Sequence, residues 1–544
     1  MPVVTFQRPD LCKLMGEEHS SEALGERMPM MGGDLDKIDG DAITIEWFPD
    51  RPDLLTLEGT GRALRAFYGI KPGMPEYKVV ASKTKLVVDP SVQTVRPYAA
   101  LCFVRGVPFD HEYVQTVIDA QEKLTLAPGR KRRKIAIGIH DAATVQGPFT
   151  YTCIGDEKPF IPLQETREMT PSQIMAEHPK GIEYAHLLPE GTYPVFLDAN
   201  GDVLSLPPVI NSAKTTVTTD TTDLLLDVTG TDLTSVKQTI ALLATGFAER
   251  GGTIEAIEVH DASGTWTSPD LTPTETVIEV TEAQRLLGLA LDGDVMAKAL
   301  ERMGHRAEDY GNKILVHTPA WRFDVLHPVD IMEDIAIGYG FENFPGAIPT
   351  ASTFGGSLPH QELEDKTRNL LLGYGWHEAR TITLSNPDDQ WGHWGDEPRP
   401  SVAVRNPVLE EQTILRTRLT PSLLNVLAAN RHRPLPQRLF EAGYIVASEG
   451  DAWKNRLHLA GVEQAAKANF SDLKGLVESL VRDLSLTVTL EPATRPGFIP
   501  GRQGRILLDG AEIGHFGELH PDTIVAFGLG AATVAFELDL TALA

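Results

Sequence analysis

Four carboxylates lie close together in one short segment of the chain. The segment WRFDVLHPVDIMEDIAIGYGF contains Asp324, Asp330, Glu333 and Asp334. Oxygen ligands of this kind suit a hard cation such as Mg²⁺, which typically takes one or two direct carboxylates and keeps several waters. The same charges also suit the solvated start of a helix, where the helix dipole favours acidic side chains. The spacing alone leaves both interpretations open.

The element that would position these carboxylates follows from the apolar spacing. Pro328 suits the first turn of a helix, because its missing N–H would have no partner there. The apolar residues after it recur at helical spacing: Ile331, Met332, Ile335, Ala336 and Tyr339. On a helical wheel they fill one broad face, and Asp330, Glu333 and Asp334 fall on the opposite face. Asp324 precedes the helix in an extended segment that can fold back toward the acidic face.

A second group of polar residues lies in or beside predicted strands. The segment VLSLPPVINS contains Ser205 and Asn211, and Pro207-Pro208 between them cannot donate ladder hydrogen bonds. We therefore expect this strand to break or to lie at an edge, which leaves Asn211 free to face a ligand. Asp227 interrupts the apolar run LLLDVTG, and a buried carboxylate must find partners. All three side chains suit strand-end and turn hydrogen bonding equally well.

The bulk composition bounds the class of protein. A chain of 544 residues is too long for one core and predicts three or more domains. There is no apolar run of about 18 residues, so we expect no membrane span, and the N-terminal sequence predicts no secretory signal. Three isolated cysteines argue against a disulfide framework and for a reducing compartment. The absence of CxxC and HExxH motifs makes zinc an unexpected ligand.

Charge constrains any interaction with nucleic acid. The net charge is −26, whereas proteins that hold phosphates usually show a basic face. Basic residues are densest in the run RKRRK, residues 130–134. Such a run is commonly a solvated loop, but it also binds phosphate without sequence specificity. RNA would therefore have to be held by local patches or by a partner chain.

Several long segments resemble one known family. WRFDVLHPVDIMEDIAIGYGFENF is similar to the signature of a domain in the β subunit of phenylalanyl-tRNA synthetase, and DRPDLLTLEGTGRALRAFYGI resembles the opening domain of its archaeal and eukaryotic form. The resemblance implies that the four acidic positions are a magnesium site shared with the α subunit: Asp324, Asp330, Glu333 and Asp334.

The segment GDVLSLPPVINS together with LLLDVTGTD resembles the editing domain of the same family. The resemblance implies hydrolysis of tyrosine wrongly attached to the phenylalanine tRNA. An apolar site that accepts phenylalanine cannot strongly reject an analogue that adds only a hydroxyl, so a second sieve is needed. The sequence shows no Ser-His-Asp or Cys-His arrangement, and we expect an oriented water to attack the ester. Ser205, Asn211 and Asp227 are the candidate editing residues.

The last part of the chain resembles the catalytic-like domain of the β subunit, which is itself similar to a class II synthetase core. A working class II site needs arginines that hold ATP. In the stretch IGHFGELHP, Glu518 stands where a cation would be wanted, and a carboxylate there would repel phosphate. We therefore expect the shape of a synthetase core without its chemistry, serving as an interface.

The predicted fold class is α+β, in several domains. Within the first domain, Asp53 is expected to cap the following helix, and residues 379–384 of the last are expected to form a strand. The predicted domains are an N-terminal α+β domain, a strand-rich editing-type domain, a small winged-helix-like domain with the acidic helix, and a class II synthetase-like antiparallel sheet with helices: residues 1–85, 86–272, 273–348 and 349–544.

The function that the resemblance implies is that of a phenylalanyl-tRNA synthetase β subunit in a cytoplasmic α₂β₂ assembly. The α subunit would bind ATP and phenylalanine and form the aminoacyl bond. This chain would contribute the shared Mg²⁺ site, contacts to tRNA(Phe) and proofreading. Two alternatives remain: a partnerless scaffold or tRNA-binding module, and a free-standing trans-editing hydrolase. Co-purification with a class II-type chain separates the first alternative, and deacylation of Tyr-tRNA by the lone chain separates the second.

Overall fold

The chain forms two compact units, residues 1–347 and 348–544. The structure, a computed structural model, describes residues 2–350, 353–450 and 452–543. The predicted α+β multidomain class is confirmed, because helices accompany several separate sheets. Among the described residues, no helix combines the length and apolar character needed to cross a membrane.

The first unit opens with a three-stranded antiparallel sheet, in the order β1-β3-β2, packed with three helices. Its elements are β1 Val3–Gln7, α1 Arg8–Met15, α2 Ser21–Arg27, β2 Gly33–Asp39, β3 Ala42–Trp47 and α3 Leu57–Phe67. The predicted cap is wrong: the Thr56 hydroxyl accepts the N–H of Gly59 at the start of α3. Asp53 is instead buried in a preceding short 3₁₀ turn, paired with Arg51.

A ten-stranded sheet follows in the same unit. Its strand order is β10-β9-β8-β7-β4-β12-β5-β11-β6, and β13 pairs with β12. The strands are β4 Val79–Val88, β5 Tyr98–Arg105, β6 Ile135–Asp141, β7 Phe149–Ile154, β8 Tyr193–Leu197, β9 Val203–Leu206, β10 Ile210–Asn211, β11 Asp223–Gly230, β12 Thr253–Asp261 and β13 Gly264–Ser268. The helices are α4 His111–Leu126, α5 Pro171–Glu177, α6 Pro179–Tyr184 and α7 Leu233–Glu249. As expected, the strand carrying Ser205 breaks at Pro207-Pro208, and β10 forms a sheet edge.

A small module completes the first unit. A three-stranded antiparallel sheet, in the order β14-β16-β15, packs with three helices. The elements are β14 Thr274–Glu279, α8 Val280–Leu287, α9 Gly293–Arg302, β15 Arg306–Asp309, β16 Lys313–Thr318 and α10 Pro328–Tyr339. The apolar side chains of α10 at 331, 332 and 335 join those of the sheet in one core. The predicted acidic helix is therefore present, with Pro328 in its first turn.

The second unit is built on a seven-stranded sheet, in the order β17-β20-β21-β25-β24-β23-β22. Its elements are α11 Pro359–Gly373, β17 His377–Glu378, β18 Leu384–Ser385, α12 Pro387–Gln390, β19 Ile414–Leu415, α13 Thr420–Ala429, β20 Gln437–Glu449, β21 Ala452–Gln464, α14 Phe470–Asp483, β22 Val488–Pro492, β23 Phe498–Leu508, β24 Ala511–Leu519, α15 Pro521–Ala526 and β25 Thr533–Asp539. All neighbours are antiparallel except β17 and β20. The predicted strand at 379–384 is wrong except at its last residue, because residues 379–383 are irregular.

Candidate functional site

A cavity of about 400 Å³ lies beside the broken edge strand of the ten-stranded sheet. Helix α4, strand β6 and the Pro207–Ser212 segment form its walls. The apolar side chains lining it include Phe109, Val117, Ile118, Ile137, Ile139 and Val209. The predicted residues Ser205, Asn211 and Asp227 all line this one cavity. The strand ends therefore gather side chains that are far apart in sequence.

A chain of hydrogen bonds fixes the buried polar groups of the cavity. His140 Nε2 lies 2.6 Å from Asp227 Oδ2, and the Ser205 hydroxyl donates to the same oxygen at 3.3 Å. On its other side, His140 Nδ1 lies 2.8 Å from the Thr215 hydroxyl. All four side chains are at least 98% buried. Asp227 Oδ1 accepts no hydrogen bond from any described residue, so one carboxylate oxygen is free for a ligand.

Strand pairing explains how Asp227 finds this position. Strands β6 and β11 are antiparallel neighbours, and Gly138 lies directly opposite Asp227. A Cβ atom at position 138 would stand 2.0 Å from Asp227 Oδ2 and 2.8 Å from His140 Nε2. The glycine therefore leaves the space into which the carboxylate folds across to the histidine.

The arrangement differs from a nucleophile-and-base triad. The sequence analysis expected no Ser-His-Asp set, yet serine, aspartate and histidine are in contact here. The carboxylate stands in the middle, and Ser205 donates to Asp227 rather than to His140. Ser205 therefore lacks the histidine base that activates the nucleophile of such a triad, and its hydroxyl is instead held by the Asp227 carboxylate. The cavity can instead hold a water or a hydroxyl-bearing ligand against Asp227.

Asn211 faces the cavity from the edge strand. Its side-chain amide donates to the Ile139 carbonyl at 3.3 Å. A primary amide carries two donor hydrogens, so one remains available to a ligand. A donor held in this way can stabilise negative charge that develops on an ester oxygen.

The basic run 130–134 forms a loop tied to the cavity wall. Three successive residues, Arg130, Lys131 and Arg132, have positive φ angles of 50°, 53° and 63°. The backbone cost of these angles is offset by the buried Arg96, which donates to the carbonyls of Arg132 and Arg133. Burial lowers the pKa of Arg96 to about 10, so it stays charged at neutral pH. The loop is thereby held in one conformation.

Arg132 connects this loop to the cavity. Its Nη1 donates to the carbonyls of Pro208 and Val209 at 3.0 and 2.9 Å, and its guanidinium lies over the Tyr184 ring. The side chains of Arg130, Lys131 and Arg133 remain exposed. The loop therefore presents positive charge to solvent next to the cavity.

The predicted magnesium residues have unequal surroundings. Asp334 is buried, with its Oδ2 2.7 Å from Arg322 Nη2 and 2.6 Å from His305 Nε2. Asp324 is also paired with Arg322, at 2.6 Å. Burial opposes ionisation of Asp334, but the charge of Arg322 and the hydrogen bond from His305 outweigh it, and its pKa lies well below the usual range. The helical-wheel prediction for Asp334 is wrong, because this side chain points into the protein.

The other two acidic residues are more accessible. Asp330 Oδ2 accepts the backbone N–H groups of Leu326 and His327 at 2.8 and 2.7 Å, at the start of α10. Glu333 is exposed. Partial burial and the charges of Asp334, Asp50, Asp330 and Asp324 raise the pKa of Glu333, so negative charge accumulates around it.

A cation such as Mg²⁺ fits this donor set in part. Within the described ranges, no group of three or more His, Cys, Asp or Glu side chains is arranged to hold a metal ion. Arg322 pairs with both Asp324 and Asp334 and compensates one of their two negative charges. Glu333, Asp330 Oδ1 and the Oδ1 atom of the buried Asp334 have no described hydrogen-bond partner, and of these residues Glu333 and Asp330 are the more accessible. Mg²⁺ commonly needs only one or two direct carboxylates.

Residues of the segment DRPDLLTLEGTGRALRAFYGI lie close to the acidic residues of the segment WRFDVLHPVDIMEDIAIGYGF. Arg51 and Asp53 form a buried ion pair at 2.8 Å, and their charges act on Arg322 and Asp324. The partners that decide these environments were not predicted from the sequence: His140 and Thr215 beside Asp227, and Arg322 and His305 beside Asp334. The only signals were a polar histidine ending a buried strand and an arginine two residues before Asp324.

Comparison with known proteins places these features in one family. Family models match residues 110–255 (B3/4 domain), 276–341 (tRNA synthetase B5 domain) and 344–540 (phenylalanyl tRNA synthetase beta chain CLM domain). The cavity and the acidic helix fall within the first two. A crystal structure of an N-terminal fragment of the phenylalanyl-tRNA synthetase beta subunit from Pyrococcus horikoshii aligns with a TM-score of 0.60 at 35% identity, covering 62% of this chain and 99% of that chain.

Full-length relatives agree. The phenylalanine–tRNA ligase beta subunit of Archaeoglobus fulgidus is 40% identical over 100% of this chain and 98% of its own length. That of Methanothrix thermoacetophila is 40% identical over 99% of this chain and 100% of its own length. The chain therefore belongs to the phenylalanyl-tRNA synthetase beta-subunit family and is a subunit of an aminoacyl-tRNA ligase.

Proposed function

We propose that this chain is the editing subunit of an α₂β₂ phenylalanyl-tRNA synthetase, removing tyrosine wrongly esterified to tRNA(Phe) in the cytoplasm. A separate α subunit would bind ATP and phenylalanine and form the aminoacyl bond. The observation that carries the proposal is the buried Asp227, held by His140 and Ser205, with one oxygen free in an otherwise largely apolar cavity.

The cavity has the properties that a second sieve needs. Its apolar walls suit an aromatic ring, and the free oxygen of Asp227 can accept a hydrogen bond from a phenol hydroxyl. Phenylalanine would fit between the same apolar walls, but it has no phenol hydroxyl to donate to the buried carboxylate. Sites that hydrogen-bond a substrate hydroxyl reject analogues lacking it far more strongly than apolar pockets reject an added one. Asp227 therefore recognises tyrosine in this proposal.

Hydrolysis would rest on water rather than on a protein nucleophile. The Ser205 hydroxyl donates to Asp227 rather than to a histidine, so in this proposal a water held in the cavity attacks the ester carbonyl. The spare N–H of Asn211 would stabilise the oxyanion, a contribution that typically amounts to about 100-fold or more in rate. The exposed basic residues 130, 131 and 133 would hold the phosphates of the incoming RNA end, a contact that depends on salt rather than on sequence.

The test compares Asp227→Ala with Asp220→Ala in the complex with the α subunit. Asp220 is an exposed loop residue and serves as the matched control. We expect Asp227→Ala to slow deacylation of Tyr-tRNA by about 100-fold or more, since a binding partner for the substrate is lost. Charging with phenylalanine should not change. Undiminished deacylation by Asp227→Ala would exclude the assignment, and Asn211→Ala tests the oxyanion donor in the same assay.

The same assay, applied to the chain purified alone, distinguishes the two alternative functions. Deacylation of Tyr-tRNA by the lone chain would favour a free-standing hydrolase. A chain that binds no α subunit and charges nothing in its presence would favour a scaffold.

The proposal includes a magnesium ion at the acidic start of α10, shared with the α subunit. Asp330 and Glu333 would hold it directly, and Asp324 and Asp334 would add negative charge behind them. The accumulated charge that raises the pKa of Glu333 supports this placement, because a cation would relieve it. When bound, the ion would bridge two chains. Loss of Mg²⁺-dependent assembly in Glu333→Gln, with the lone chain still folded, is the expected result.

A further inference from the structure

The second unit contains a cleft that the proposed function does not use. Its volume is about 450 Å³, within the range of about 300–1,000 Å³ typical of small-molecule sites. One face of the seven-stranded sheet forms its floor, through residues of β20, β21, β24 and β25. The loops around residues 391–400 and 495–498 form its walls. The sequence analysis expected no phosphate-binding feature in this domain.

Three arginines line this cleft: Arg399, Arg418 and Arg495. Arg418 and Arg399 share a single carboxylate, Asp396, at 3.0 and 3.2 Å. Arg495 pairs with Glu512. Three guanidinium groups thus share two carboxylates, and each keeps N–H donors that no described residue accepts. Burial and the nearby charge of Arg399 lower the pKa of Arg495, so the arginines repel one another in a partly desolvated space.

The two other carboxylates that line the cleft, Glu537 and Asp539, already have partners. Glu537 is buried, where it receives hydrogen bonds from the Thr420 hydroxyl and the backbone N–H of Leu419 and lies 2.9 Å from His458 Nδ1. Although burial opposes its ionisation, these partners lower the pKa of Glu537 to about 2. Asp539 is paired with Arg456 at 2.6 Å. Glu537 therefore keeps its negative charge, which also acts on Arg418, but its oxygens are occupied by these partners and no described hydrogen bond joins it to the three arginines.

Uncommitted polar groups also border the cleft. The indole N–H of Trp391 is buried and has no hydrogen-bond partner among the described residues, and Trp391 lines the cleft. An unpaired buried donor is unfavourable, and an acceptor on a ligand would satisfy it. Burial lowers the pKa of His515 to about 4, so this cleft residue is neutral at pH 7 and can donate or accept. The ring of Phe498 gives the same space an apolar surface.

We propose that this cleft binds a small organic anion whose phosphate or carboxylate group is held by Arg399, Arg418 and Arg495. Guanidinium groups match both oxyanions through paired N–H donors. The remaining polar groups and Phe498 contact the body of the ligand. The site binds without catalysing, and it is independent of the editing proposal, because it lies in the other unit and shares no residue with the cavity.

The test uses the full-length chain purified without its partner, so that no second nucleotide site is present. Titration calorimetry with AMP, inorganic phosphate and citrate, each at millimolar concentration, measures binding. Adenosine serves as the uncharged control. Binding of AMP or phosphate identifies a phosphate ligand, and binding of citrate alone identifies a carboxylate. We expect no binding of adenosine, and failure of all three anions would overturn the proposal.

Variants locate the binding in the cleft. Arg399→Ala and Arg495→Gln should each weaken it by about tenfold, the usual effect of losing a charge-assisted hydrogen bond. Arg405→Ala removes an exposed arginine outside the cleft and should have no effect. Asp396→Asn should tighten binding by about threefold, because it removes the competing carboxylate. Equal binding by the wild type and both cleft arginine variants would overturn the proposal.

Discussion

Two buried aspartates in the first unit make the same contact but stand in opposite surroundings. Asp227 and Asp334 each lie 2.6 Å from the Nε2 atom of a buried histidine. Arg322 lies 2.7 Å from Asp334 and neutralises it within a packed core. Asp227 has no described cation in hydrogen-bond contact and borders a cavity. Both aspartates have the Asp–His pair, so the presence or absence of a cation such as Arg322 determines whether the buried carboxylate stabilises the fold or remains available to a ligand.

The largest effect is expected at Asp334. Asp334→Ala leaves Arg322 and its neighbour Arg51 with less compensating charge in the interior, and breaking one side of a buried ion pair typically costs about 3–5 kcal/mol. Urea unfolding of the chain measures the loss of free energy. The exposed Glu333→Ala is the control and should change stability little. A loss below about 1 kcal/mol for Asp334→Ala would remove the contrast between the two aspartates.

A smaller effect on stability, with a strong effect on activity, is expected at Gly138. The added methyl of Gly138→Ala would stand 2.0 Å from Asp227 Oδ2 and must displace it. Overpacking of this kind costs about 1–3 kcal/mol. Deacylation of Tyr-tRNA should fall by about tenfold or more as the carboxylate moves, since misplacement of about 1 Å in a site has large kinetic consequences. Gly346→Ala, whose added methyl meets no atom within 4 Å, is the control. Equal deacylation rates for the two variants would show that the close approach of Asp227 to Gly138 does not matter for activity.

Lowering the pH should reduce the difference in unfolding free energy between the wild type and Asp334→Asn, called the stability gap below. The folded-state pKa of Asp334 is lowered, so its ionised form contributes stability above the unfolded pKa of about 3.9. That contribution is lost as the pH falls below this value toward the folded pKa. Unfolding free energies measured from pH 7 downward should show a constant gap until about pH 4 and a shrinking gap below it. A gap that shrinks between pH 7 and 5 would assign it to another group.

The smallest effect is expected at Glu333, whose pKa is raised rather than lowered. Its ionised form is disfavoured in the folded state, so this group reduces stability once the pH rises through its unfolded pKa. Glu333→Gln should therefore raise the unfolding free energy at pH 7 by a few tenths of a kcal/mol in the absence of Mg²⁺. Added Mg²⁺ should stabilise the wild type more than the variant. An equal response of both proteins would separate Glu333 from the metal.

Sequence patterns predicted the backbone better than the partners. The broken strand at Pro207-Pro208 and the buried strand of Asp227 follow from local chemistry, and they bring Ser205, Asn211 and Asp227 to one cavity. His140 was not predicted as their partner, because its alignment with Asp227 depends on the register of β6 against β11. The burial of Asp334 was not predicted either, because it also depends on a partner outside its own element. A helical wheel contains no information about Arg322, which arrives from outside the helix.

The link made by Arg132 gives the first unit a mechanical property. Because one guanidinium joins the 130–134 loop to the carbonyls of Pro208 and Val209, a displacement of the loop would be transmitted to the wall that carries Asn211. RNA bound to the basic side chains of this loop would thereby stabilise the cavity that receives its own aminoacylated end. Under the proposed editing function, RNA binding at the loop and hydrolysis in the cavity would be coupled through the Arg132 side chain.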